Sequence, residues 1–423
     1  MKSHFSPRAF WKFSAPISSG VLGAILLAPA ASAAGTTWWV SNQGKDSASC
    51  GNRATPCRSI SAAIDKAANG DVIGVGAGLY GDLNGDGEFT APGEEHYGTD
   101  STGRTCIVCV DKAIKILSLH GADETVIDAG NGGRPDPNSP VGMVNNVVGI
   151  ASSGVTLGGD GAGFSITGSG ADGVHVESTA SSGAIIGNIA HGNPGTGFAV
   201  EVVDETPPPF PIPTQRFILR GNSSLHNGFG FNVSHDEMRG IGEFVILTGN
   251  TVAGNSAVGI ASFGFSFHTQ IVGNVLTHNG TAIQLSGSDF QVSGNTLVAN
   301  RGPGILINGG RPTNFVRVTD NTIVGNMGAG LYLIGATSDM TVRGNNIYGN
   351  ASAPSSQVPG IDALNCGIAN VDLEEPLDAT NNYWGSTTGP GTDPADNAGK
   401  GCDFFSGKTT VKPFATAPFA FRP

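Results

Sequence analysis

The stretch "GNTLVAN", residues 294–300, returns as "DNTIVGN" at 320–326 and as "GNNIYGN" at 344–350. Two asparagines keep their spacing while the residues between them drift. The first of each pair falls at Asn188, Asn222, Asn250, Asn274, Asn295, Asn321 and Asn345, at intervals of 34, 28, 24, 21, 26 and 24 residues. The second falls at Asn193, Asn227, Asn255, Asn279, Asn300, Asn326 and Asn350. A period of this size marks a solenoid or an array.

The spacing inside one repeat selects among solenoids. Short alternating runs precede each pair, as in Phe217-Ile218-Leu219 and Val245-Ile246-Leu247. An apolar residue follows two positions after the first asparagine, at Val252, Leu276, Leu297, Ile323 and Ile347. A third run follows the second asparagine, as in Phe198-Ala199-Val200, Phe231-Asn232-Val233 and Ile305-Leu306-Ile307. Each repeat thus reads as three short strands with no room for a helix. Leucines at fixed offsets are missing, which argues against leucine-rich repeats. Coils of variable length argue against the strict hexapeptides of a left-handed β-helix. The expected fold is all-β: a single-stranded, right-handed parallel β-helix with three sheets.

The asparagines then have a structural role. Coils stack about 4.8 Å apart, and each corner needs a residue that tolerates the left-handed region, as asparagine and glycine do. A corner asparagine also bonds the next coil, so the repeat predicts a ladder that satisfies buried amides. A sugar-binding role would need these residues on an accessible face, whereas the fold needs them inside.

The first 33 residues have the three-part plan of a secretory signal peptide. Lys2, Arg8 and Lys12 precede the apolar run Val21–Leu27, and Ala31-Ser32-Ala33 is a small-x-small site with cleavage expected after Ala33. The run is shorter than the ~20 residues a membrane span needs, and no later stretch reads as one. The mature chain is expected to be secreted or periplasmic and monomeric. Without the leader's basic residues the net charge is −15, from 19 Lys and Arg against 34 Asp and Glu. A phosphate backbone would be repelled, which excludes nucleic acid as a partner class. Six cysteines in an exported chain favour disulfides, and proximity pairs Cys50–Cys57, Cys106–Cys109 and Cys366–Cys402. The Cys-x-x-Cys at 106–109 leaves a redox or metal pair as the alternative.

Upstream of the repeats, Ser59 reads as the cap of a helix whose apolar stripe is Ile60, Ala63, Ile64 and Ala67, with Gly70 as its stop. Such a helix would cover the open end of the solenoid, which otherwise exposes its core and unpaired backbone. The Val-Ser-x-x-Gly-x-Asp start at 40–46, the Pro56 to Ala68 helix, Gly70-Asp71, Gly78-Leu79-Tyr80 and the C-terminal "NNYWGSTTGP" at 381–390 resemble exported right-handed β-helix proteins of the pectin lyase-like superfamily. The resemblance implies a β-helix domain over 34–423: cap and first strand at 34–80, clearest repeats at 145–350, closing segment at 366–423. It implies carbohydrate contact without naming a reaction, because the superfamily includes lyases, hydrolases, epimerases and proteins with no known catalysis.

Two motifs carry possible chemistry. In "DLNGDGEFT", 82–90, Asp82, Asn84 and Asp86 take positions 1, 3 and 5 of a calcium loop, Gly87 position 6 and Glu88 position 7. Hard oxygens on alternate residues suit Ca²⁺. Position 12 is Gly93 rather than glutamate, so Glu94 or Glu95 would close the shell; an acidic surface turn is the alternative. The second motif emerges when coils are aligned by their third strand. Phe198 then stacks on Phe231 and Glu201 on Ser234, with His175 and Glu177 one coil earlier. The long loops that follow add Asp204, Glu205, His235, Asp236, Glu237 and Arg239, with Arg239 the only basic residue in the cluster. Candidate residues for acid/base work on an anionic polysaccharide are Glu201, His235, Asp236 and Glu237, with Arg239 to hold the anion. The alternative is a set of solvated loop charges on a non-catalytic surface or periplasmic protein that binds glycan or a partner. His191, His226 and His278 read as strand or turn residues.

Overall fold

Each coil lays down three strands, and each strand pairs in parallel with its counterpart one coil away. In the computed structural model, residues 35–99, 103–130, 144–202, 216–235, 244–263, 269–351, 365–371, 376–392, 394–399, 402 and 408–420 are described. Among them are three sheets of 13, 10 and 11 strands and one helix. Gly35–Pro423 forms one compact unit. The leader, with its expected cleavage site after Ala33, lies outside the described residues. No helix among the described residues is long and apolar enough to cross a membrane.

The alternation along each strand sorts side chains into an interior row and an exterior row. In the first sheet Leu219, Leu247, Ile271, Val292, Val318 and Val342 stand in register and face inward, none more than 1% exposed. Val252, Leu276, Leu297, Ile323 and Ile347 do the same in the second sheet. In the third, Phe198 and Phe231 stack with centroids 4.9 Å apart. The core is therefore a set of columns running the length of the solenoid.

The asparagines occupy the two corners on either side of the second sheet, and all fourteen are buried. Asn274 is typical. Its Oδ1 accepts from the backbone N–H and the Nδ2 of Asn250, while its own N and Nδ2 donate to Asn295 Oδ1 at 2.9 and 3.0 Å. The second Nδ2 hydrogen goes to the Leu247 carbonyl at 2.9 Å. The same pattern continues from Asn188 to Asn345 and is extended by Asn382 of the closing segment. The other column runs from Asn193 to Asn350 and ends on Asp396. One part of the expectation is corrected: the left-handed residue at each corner is the one before the asparagine. That residue is usually glycine, as at Gly273 (φ 65°), but Asp320 (φ 59°) and Ala299 (φ 55°) also hold it. The asparagine itself makes the inter-coil bonds. His226 and His278 occupy the same left-handed position, and His191 sits in a strand with Nε2 3.0 Å from Ser165 Oγ.

The helix spans Ile60–Lys66. Ser59 Oγ accepts from Ala62 N, and the buried Glu95 carboxylate accepts from the N–H groups of Ile60 and Ser61, both at 2.7 Å. Burial raises the Glu95 pKa, against the lowering effect of these bonds. Lys112 Nζ closes the other helix end on the Ile64 and Asp65 carbonyls. The helix packs on strands Thr37–Val40, Val72–Val75 and Thr105–Val110. All three cysteine pairs form the expected disulfides, Cys50–Cys57, Cys106–Cys109 and Cys366–Cys402.

Candidate functional site

The third sheet carries strands Thr105–Val110, Asn146–Ile150, Asp172–Val176 and Thr196–Val202 as successive neighbours. His175 pairs with Ala199, and Glu201 pairs with Ser234, as the alignment by coils predicts. Alternation turns His175 and Glu201 away from the core, while Val174, Val176, Phe198 and Val200 point into it. The exterior row is thereby given ionisable groups on adjacent coils.

These groups form a network. Asp172 Oδ1 accepts from Thr196 N at 2.7 Å, which ties the aspartate to the next coil, and its Oδ2 accepts from His175 Nδ1 at 3.1 Å. That bond aims His175 Nε2 toward Glu201 Oε1, 3.5 Å away. Arg104 reaches past the two intervening strands to bring Nη1 within 2.8 Å of Glu201 Oε1, and it also lies against the His175 ring. The His175 side chain is 2% exposed, against 28% for Glu201 and 40% for Arg104. A molecule arriving from solvent meets the arginine and the glutamate, with the histidine beneath them.

The electrostatics follow from this packing. Burial pulls the His175 pKa down, but hydrogen bonds to Asp172 and Glu201 outweigh it and leave the net shift upward from 6.5. Glu201 is lowered to about 2: the hydrogen bond to His175 is the main cause, burial opposes it, and the His175 and Arg104 charges add to it. Near neutral pH the glutamate is ionised and beside two donors.

Of the residues expected from sequence, Glu201 sits in this network. His235 ends the strand Phe229–His235, opposite Val202 on the strand of the preceding coil. Asp236, Glu237 and Arg239 lie outside the described residues, as do Asp204 and Glu205. The expectation that Arg239 is the only basic residue in the cluster is corrected, since Arg104 enters from three coils upstream of Glu201. Asp172 was also missed, although its place three residues before His175 in one strand was available as a signal.

The 82–94 loop is built around Asp82, whose two oxygens accept from Gly85 N at 2.7 Å and Gly87 N at 2.8 Å. Asn84 Oδ1 accepts from Asp86 N, Asp86 Oδ1 from Glu88 N, and the buried Glu94 from Leu83 N and Ala91 N. The donor set is all hard oxygen and fits Ca²⁺ in kind. Asn84 Nδ2 donates to Asp86 Oδ2 at 2.8 Å, so a cation between them requires the amide to turn over. Among the described residues, the one group of three His, Cys, Asp or Glu with ligand atoms within 4.8 Å of one another is Asp46, Cys50 and Cys57. Its sulfurs are joined in a disulfide.

A family described as the right handed beta helix region matches residues 212–347. No curated protein matches the sequence closely enough to count as a relative. Among solved structures, the chain is similar to the A-module of a mannuronan C-5 epimerase from Azotobacter vinelandii, with a TM-score of 0.57 at 15% identity over 85% of this chain and 95% of that one. A pectate lyase aligns with a TM-score of 0.45 at 15% identity over 78% of this chain and 84% of its own. At such identities the likeness concerns the fold. Repeat match, parallel register and backbone agree on one architecture, and the chain is a right-handed parallel β-helix.

Proposed function

We propose that this exported β-helix binds and processes an anionic extracellular or envelope polysaccharide on the outer face of its third sheet. The observation that carries the reading is the Arg104–Glu201–His175–Asp172 network, which sets a carboxylate and an oriented imidazole on adjacent coils and brings a cation to them. It stands where the strands Thr196–Val202 and Phe229–His235 end, and sites tend to be built at the ends of rigid elements. Arg104 would hold a sugar carboxylate. Glu201 and His175 would exchange a proton with the sugar, and His235, Asp236, Glu237 and Arg239 are kept as further candidates from the sequence. The polysaccharide-acting epimerase with the same fold supports the substrate class. Three disulfides among the described residues support an oxidising compartment.

The second reading is a non-catalytic glycan-binding scaffold. It is favoured by the lowered Glu201 pKa of about 2, which makes a weak base, and by the covered imidazole. A panel of acidic and neutral polysaccharides, read for unsaturated products, reducing ends, inverted sugar residues and retention on immobilised glycan, separates the two. Turnover of an acidic glycan that Glu201→Gln and Arg104→Ala both abolish supports processing. Retention without products supports the scaffold, and neither overturns both.

The 82–94 loop is proposed as a structural Ca²⁺ site held by Asp82, Asn84, Asp86, Glu88 and Glu94. Calorimetric titration should find one site in the native chain and none in Asp86→Ala. No heat at millimolar Ca²⁺ in either protein makes the loop an acidic turn.

A further inference from the structure

A cleft of about 610 Å³ lies at the N-terminal end of the molecule, away from the network at Glu201. Asn42, Gln43, Lys45, Arg58, Phe89 and His96 contribute to its lining. Its acids are occupied. Asp46 accepts from Arg58 N, Ser59 N and Ser59 Oγ, and Glu94 accepts from Leu83 N and Ala91 N. Among the described residues His96 Nδ1 lies 3.7 Å from Asp65 Oδ2, while the Arg58 guanidinium is paired with no carboxylate. One nitrogen donates to the Leu79 carbonyl at 3.3 Å, and the group lies 5.5 Å from the centre of the Tyr80 ring. The other, Nη1, is buried with no acceptor.

A buried, unsatisfied guanidinium donor in a chain of strongly acidic balance demands an explanation, because such groups are costly and rare. Gly93 packs against the Arg58 stem, where a Cβ would come within 2.6 Å of Cγ. The stem is therefore held, and the planar head carries one donor without an acceptor. Turning the head exchanges an unsatisfied donor for whatever anion enters the cleft, and a guanidinium recognises a carboxylate through paired donors. The cleft is far larger than an inorganic ion and within the range of small-molecule sites. Exposed amides at Asn42 and Gln43 suit hydroxyl groups, and Phe89 offers an apolar face.

We infer that this cleft is a second binding site, for a carboxylate-bearing sugar of one or two residues, with Arg58 on the carboxylate and Lys45 and His96 beside it. The inference does not depend on the third-sheet reading.

Calorimetry on the full mature chain tests it, with glucuronic acid and a uronate disaccharide as probes and glucose and inorganic phosphate as controls. In an Arg104→Ala background, which removes the third-sheet carboxylate contact, expected is one-to-one binding of the uronates, none of glucose, and at least tenfold weaker binding of phosphate. Adding Arg58→Met to that background should weaken the uronate binding at least tenfold. The melting temperature of ligand-free Arg58→Met should equal or exceed that of the native chain, since an unpaired cation has been removed. Phosphate binding as tightly as uronate would overturn the sugar assignment. Absence of uronate binding at millimolar concentration, or a large fall in melting temperature of ligand-free Arg58→Met, would overturn the site and leave Arg58 as a packing group on Tyr80.

Discussion

Glu201 and His175 hold each other in opposite charge states, and this has a pH signature. The folded His175 pKa is raised, so its contribution is complete below its ordinary value of 6.5 and fades as pH rises through the folded value. The folded Glu201 pKa is lowered to about 2, so its contribution is complete above 4.5 and is lost as pH falls toward 2. Both operate between about pH 4.5 and 6.5. Thermal melts of the native chain and Glu201→Gln should differ most in that window, by roughly 1–2 kcal/mol after allowance for solvent screening. The difference should shrink at both pH 2 and pH 9. A difference independent of pH would mean that Glu201 acts through packing alone.

At the scale of the corner and the strand, the asparagine column is the feature with the most direct energetic test. Asn295 satisfies the N–H and Nδ2 of Asn274, and it gives a donor to the Ile271 carbonyl. Truncation strands several buried groups, each worth ~1–3 kcal/mol. Asn295→Ala and Asn321→Ala should therefore lower the melting temperature by several degrees while leaving any glycan binding intact. Unchanged stability with lost binding would reverse the assignment. This much was legible in the sequence because a period repeated seven times constrains register without any long-range knowledge. Strand alternation then fixed which face Glu201 occupies. Arg104 was not legible: it lies nearly 100 residues before its partner in the chain, and only the number of coils between them brings the two together. Nor was the unpaired Arg58, because an unsatisfied donor is defined by what fails to reach it in space. The left-handed position was misassigned because Gly-Asn offers two residues that both tolerate it, and only the backbone shows which one takes it.

For the whole molecule, stability should behave as a sum over coils, since each coil contacts mainly its neighbours. Residues 274–294 make one complete turn of 21 residues from asparagine to asparagine. Deleting them joins Gly273 to Asn295 in phase, so circular dichroism should show a folded β-helix with a modestly lower melting temperature. Deleting 274–284 alone breaks the phase and should give insoluble or unfolded protein. Equal behaviour of the two deletions would refute coil-wise assembly. Each corner amide turns its oxygen toward the preceding coil and one N–H of its NH₂ toward the next asparagine, so both columns have a direction. A directed chain of amides must start on a donor and finish on an acceptor. The starts are Phe164 N and Ser169 Oγ, and the finishes are Asn382 Oδ1 and Asp396 Oδ2. The aligned amide dipoles leave partial positive charge at the C-terminal end, where the Asp396 carboxylate receives one column, as an acid does at a helix N-terminus. The solenoid is therefore vectorial: it can be lengthened or trimmed at its front behind any hydroxyl or free N–H, whereas every new rear terminus must bring its own oxygen.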